Sequence, residues 1–197
     1  MFTRSDYDAP LGYLDDCDIA KCILAHEASS WPPSRHRAGE AIFMAVELLR
    51  EEPPPHLYRH DLESFMYTLI WCALHFNLNG SEVPGINEAM ERWAYGTRES
   101  IQCAKISLFV SADRQDQIFR AITPAFHPLE REIGELIYMF DDGHSARGDR
   151  DKRLRRLRRD GEDQTPEPWN EDTLNGHITY EKFMAAIGEN RVAELDG

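Results

Sequence analysis

The sequence predicts a mainly α-helical protein, and three observations carry that expectation. Leu62, Phe65, Met66, Leu69, Ile70, Ala73 and Phe76 recur at the three- and four-residue steps of one helix face. A second stripe of the same period runs through Leu129, Ile133, Leu136, Ile137 and Phe140. Extended character is confined to two short pieces, around Met1–Thr3 and Leu11–Leu14, separated by the turn-rich SDYDAP. They read as a short N-terminal β-hairpin.

Each element can be justified in order. Residues 24–40 are irregular, with Trp31-Pro32-Pro33 and scattered basic side chains. EAIFMAVELLRE (40–51) has helical character, and Pro53-Pro54-Pro55 ends it. In the following helix Trp71, Cys72 and Leu74 fill most of the face opposite the apolar stripe, which predicts burial nearly all round. Left at a surface, that apolar area would forfeit ~25 cal/mol per Å2. Further helices are expected at about 86–95, 98–109, 113–122, 128–141 and 179–188. Residues 142–176, rich in charge, Gly and Pro, read as a flexible charged insertion within a single domain of about 1–190. No internal repeat is visible.

Composition bounds the function. With 42% hydrophobic residues over 197 positions, the chain can build a real core. A net charge of −13 disfavours nucleic acid and anionic membranes as partners of the body of the protein. The charge is uneven, because RGDRDKRLRRLRR (147–159) sets eight Arg and Lys against two Asp and leaves −19 for the rest. Four cysteines (17, 22, 72, 103) follow neither disulfide-framework nor zinc spacing. The N-terminus has acidic residues where a signal peptide needs an apolar run, and no stretch approaches 18 apolar residues. A soluble intracellular protein, cytoplasmic or nuclear, is expected.

The stretch LYRHDLESF (57–65) sets Arg59, His60 and Asp61 side by side. An adjacent His-Asp pair marks some metal phosphohydrolases, but one pair cannot close a coordination sphere, and no second His-Asp constellation follows. A kinase-type base needs a loop with a metal-binding Asn downstream, whereas Asp61 runs straight into an apolar helix. Asp61 is therefore expected in the first turn of that helix, meeting free backbone N–H groups or solvent.

YLDDCDIAK (13–21), RAGEAIFMAVELL (37–49), YRHDLESFMYTLIW (58–71) and ITYEKFM (178–184) together resemble, in order, the C-terminal lobe of the fungal-type protein kinases. The resemblance implies a protein-kinase-like C-lobe without its N-lobe. It gives Asp16 the role of the Mg2+ ligand that bridges ATP phosphates, with Cys17 and Asp18 departing from the usual aromatic and glycine. Ala38, Gly39, Phe43, Met44 and Glu47 fall in the activation segment, Ala38 and Glu40 standing where threonines are common. Glu47 matches the glutamate that ordinarily pairs with a buried arginine and closes that segment. Asp61 matches the aspartate that supports the catalytic-loop backbone, a structural role.

The rest of a kinase is not in this sequence. It contains no Gly-x-Gly-x-x-Gly, no Val-Ala-x-Lys before the metal turn and no His-Arg-Asp. The match begins just after the catalytic loop, so a truncated domain is expected. ATP-dependent Ser/Thr phosphorylation is implied by family, and no activity is expected of this chain alone. Mg2+ and ATP are likewise cofactors by family only. Two alternatives stand beside this reading: a non-catalytic, pseudokinase-like module that holds a protein partner through its helices, and a helical metal phosphohydrolase. Arg153, Arg155, Arg156, Arg158 and Arg159 are a candidate docking run for an acidic partner or nucleic acid, or a nuclear localisation signal, against the plainer reading of a solvated, partly disordered segment that pairs with the chain's own excess acid.

Overall fold

In the computed structural model the described residues are 2–4, 10–12, 41–77, 81–161 and 168–188. The chain divides into two units, Met1–Arg35 and His36–Gly197. In the first, β1 (Phe2–Arg4) runs antiparallel to β2 (Pro10–Gly12), with Thr3 opposite Leu11.

The second unit is helical. Its axis is α1 (Tyr58–His75), followed by α2 (Glu91–Tyr95), α3 (Arg98–Val110), α4 (Ala112–Ala121), α5 (Glu130–Asp160) and α6 (Tyr180–Ala186). Side-chain caps start two of these helices. Thr97 accepts from the Ser100 N–H at 3.2 Å and Thr179 from the Lys182 N–H at 3.3 Å, each satisfying a donor with no intrahelical partner. Met66, Tyr67, Ile70, Ala73 and Leu74 of α1 share one core with Trp93, Leu108, Ile118, Ile133, Leu136, Ile137 and Phe140. Tyr67 and Trp93 meet edge-to-face at 5.1 Å, a favoured aromatic geometry.

Three expectations need correction. The expected helix over 40–51 does not run through its described residues, which leave helical geometry after Ala41. Ala45 is extended (φ −57°, ψ 146°), and only Val46–Leu49 close a 3-10 turn. Tertiary bonds take the backbone groups a helix would use: Lys105 Nζ donates to the carbonyls of Ala41 (3.2 Å) and Met44 (2.5 Å), and the Val46 N–H donates to Glu63.

Burial around α1 is also less complete than its composition suggests. Asp61, Phe65 and Thr68 face outward, with Phe65 59% exposed, while Arg59, His60, Glu63 and His75 are buried. Finally, α5 does not end near 141 but continues through half of the presumed insertion, to Asp160. Gly161, in the left-handed region at φ 73°, caps it. Gly143 does not break the helix because it serves a close approach. A Cβ there would lie 2.9 Å from Ile178 Cδ1 and 3.3 Å from Leu174 Cδ1.

Leu174, Asn175 and Gly176 then form three consecutive left-handed residues (φ 45°, 58°, 84°). For Leu174 this conformation costs on the order of 1 kcal/mol or more, offset by complete burial of its side chain. Bonds from Asn175 N–H to the Asn170 carbonyl (2.8 Å) and Ile178 N–H to the Thr173 carbonyl (2.9 Å) hold the turn.

Candidate functional site

The chemistry-bearing residues converge where the Val46–Leu49 turn meets the first turn of α1 and the middle of α5. Glu47, 1% exposed, is the centre. Arg59 Nη2 donates to its Oε2 at 2.5 Å, and Arg147 reaches its Oε1 from α5. His60 is fixed from both sides. The Leu57 N–H donates to its Nδ1 at 3.1 Å, so Nδ1 is the bare nitrogen, and Nε2 carries the proton that faces Glu47 Oε2 at 3.2 Å. The pairing closes outward through the loop before α6: Arg59 Nε donates to the Glu171 carbonyl at 2.8 Å, and the Glu171 carboxylate lies 3.5 Å from Arg147 and 3.8 Å from Arg150.

Burial by itself would raise the Glu47 carboxyl. Hydrogen bonds from His60 and Arg59, with the charges of Arg59 and Arg147, overcome it and hold Glu47 well below the usual carboxylate range. Glu47 is thus a carboxylate locked in its charged form by three bases.

A second buried carboxylate, Glu63, lies one helical turn along. Its Oε1 accepts from the Val46 N–H (2.9 Å) and the Tyr67 hydroxyl (2.7 Å), while Oε2 faces His144 Nε2 at 3.5 Å without a well-formed hydrogen bond. Against the effect of burial, His144, Val46 and Tyr67 lower the Glu63 carboxyl. Lys105, with no exposed surface, completes the site from α3. Its ammonium sits 3.9 Å from the centre of the Tyr67 ring, and burial depresses it to about 7.

The sequence-predicted residues are distributed as follows. Asp16, Ala38 and Gly39 lie outside the described residues. Phe43 packs edge-on against Trp71 at 5.9 Å, and Met44 contributes its carbonyl to Lys105. Glu47, expected from resemblance to meet a buried arginine, meets Arg59. Asp61 is in the first turn of α1, but it is 56% exposed and pairs with His56 Nε2 at 2.8 Å instead of a helix N–H. His60 and Asp61 therefore point to different environments, so the adjacent pair does not form a shared metal site. Arg153, Arg155, Arg156, Arg158 and Arg159 are exposed on the last turns of α5, away from the cluster.

Among the described residues no three His, Cys, Asp or Glu converge as metal ligands. Glu47 and Glu63 already serve arginine, histidine and backbone donors. No helix among them is long and apolar enough to cross a membrane.

Residues 1–73 match the family model described as fungal protein kinase. This stretch is similar to the fungal protein kinases. The matched stretch ends inside α1. It includes Glu47, Arg59, His60 and Glu63 and leaves out Lys105, His144, Arg147 and Glu171. The cluster is thus built half from matched and half from unmatched sequence. No curated protein and no solved structure matches the chain.

Sequence reasoning singled out Glu47, and it noted Arg59 and His60 only beside Asp61, not as partners of Glu47. Glu63 and Lys105 each left a trace, a charged residue three or four positions from buried apolar ones (Met66, Tyr67; Ile101, Leu108). His144 and Arg147 left none, because they sat in a segment read as flexible.

Proposed function

We propose that this chain is a kinase C-lobe-like module in which the segment ending at Glu47 is held in place for recognition rather than for phosphoryl transfer by this chain alone. The observation that carries the reading is the buried Glu47–Arg59 pair. It is the contact that, by resemblance, fixes the substrate-facing segment of fungal-type kinases, and it lies within the matched stretch. Phosphoryl transfer rests on positioning and charge stabilisation of the phosphates. By resemblance only Asp16 speaks for nucleotide, and a single carboxylate cannot hold ATP in line with a hydroxyl. A glycine-rich loop, a strand lysine and a His-Arg-Asp loop are not in the sequence.

The test is transfer of labelled γ-phosphate from Mg-ATP to generic Ser/Thr substrates. Wild type and Asp16→Ala should be equally silent, and turnover by wild type clearly above the variant would overturn the proposal. The companion reading, a non-catalytic module that holds a protein through its helices, is favoured by partner capture without nucleotide binding.

A further inference from the structure

The last turns of α5 carry arginines in two distinct situations. On the inner side, Arg147 and Arg150 are engaged with Glu47 and Glu171, Arg150 also lies 5.1 Å from the Trp169 ring, and Leu154 and Leu157 are half-buried. On the outer side, Lys152, Arg155, Arg156 and Arg159 follow one another at helical steps of three, one and three residues, all exposed. Arg155 and Arg156, at the centre of this stripe, make no ion pair among the described residues. Among the described residues Lys152 and Arg159 pair with Asp149 and Asp160 at exposed positions, both at 3.0 Å. Among the described residues the neighbouring carboxylates Asp149, Asp151 and Asp160 pair with Lys152, Arg150 and Arg159 instead.

Helix stability does not account for the stripe. Cations near a helix C-terminus interact favourably with its dipole, which covers Arg158 and Arg159 in the last turn. Lys152, Arg155 and Arg156 lie too far back, and the benefit falls off within one turn.

We propose that this outer face of α5 is a docking stripe for an acidic protein segment. It runs about 10 Å along the axis at 1.5 Å per residue. Carboxylates three or four residues apart on a partner helix are spaced about 5–6 Å, which suits the spacing of its guanidinium groups. Guanidinium binds phosphate as well as carboxylate, and the surroundings separate the two. The stripe is one helix face wide and flanked by Asp149, Asp151 and Asp160, on a chain of net charge −13. A nucleic-acid strand extends its charge beyond such a track and over these carboxylates, whereas a short acidic peptide fits within it. The inference stands independently of the kinase-related reading, because the stripe lies outside the matched residues.

The test uses the full chain and a fluorescein-labelled ten-residue polyglutamate peptide, followed by anisotropy at low and moderate salt. Wild type should bind in a salt-dependent manner, and Arg155→Gln/Arg156→Gln should weaken binding about tenfold, the upper range for two exposed ion pairs. Arg92→Gln/Arg120→Gln removes the same charge from exposed positions elsewhere and should leave binding unchanged. Equal thermal midpoints will show that all three proteins are folded. No binding by wild type, equal loss in both double variants, or a ten-nucleotide DNA strand bound as tightly as the peptide would each overturn the proposal.

Discussion

Arg59 shows what one buried side chain can decide. Its guanidinium neutralises Glu47 and also bonds the Glu171 carbonyl, so it joins three segments that are distant in sequence. A buried ion pair adds little net stability over apolar packing, but removing one member strands the other charge. Arg59→Ala should therefore cost about 3 kcal/mol, toward the low end of the usual range because His60 and Arg147 still face Glu47. Urea unfolding would measure it, and a loss below about 1 kcal/mol would show that the pair is dispensable. Lys105 makes the complementary case. Its folded value is depressed from 10.5 to about 7 by burial. Between those values the unfolded chain binds a proton that the folded chain has released, so stability should rise with pH across this window. Comparing urea midpoints at pH 7 and pH 9 should show a gain in wild type that is absent in Lys105→Met.

At the scale of elements, α5 is the main surprise and its glycines explain why. Gly143 sits where Leu174 and Ile178 press against the helix, while Gly148 has nothing within 4 Å of a built Cβ. Gly148→Ala should stabilise by about 0.5–1 kcal/mol through helix propensity. Gly143→Ala gains the same propensity but overpacks the contact, which costs about 1–3 kcal/mol, so it should lower the thermal midpoint. A midpoint raised by both substitutions would mean the loop 168–178 is not pressed onto α5. Composition misleads here because Gly, Asp and Arg are common both in flexible segments and on exposed helices paired to a core. What distinguishes the two is the partner, and Glu47 and Glu171 lie about 100 and 24 residues from Arg147. The same logic converts 40–51 from a helix into a turn. Its apolar content was legible in the sequence, but the competing donor Lys105 and acceptor Glu63 were not.

For the molecule as a whole, the buried core of the described residues lies within the unit His36–Gly197. A chain of residues 36–197 should therefore unfold cooperatively in urea, and Arg59→Ala should destabilise it by the same amount as in the full chain. A gradual transition would show that the first unit is needed for the fold. The helical class, most of its helices and the similarity of residues 1–73 to the fungal protein kinases were legible in the sequence alone, because helical period and family motifs are local patterns. So was the choice of Glu47 as a candidate, on the resemblance. Only the tertiary structure decided that Glu47 is clasped by Arg59, His60 and Arg147, that Asp61 turns to His56 and solvent, and that half the expected insertion is helix. The physical reason is that a periodic pattern is set over a few residues, whereas a buried charge is tolerated only beside partners that folding brings from far along the chain.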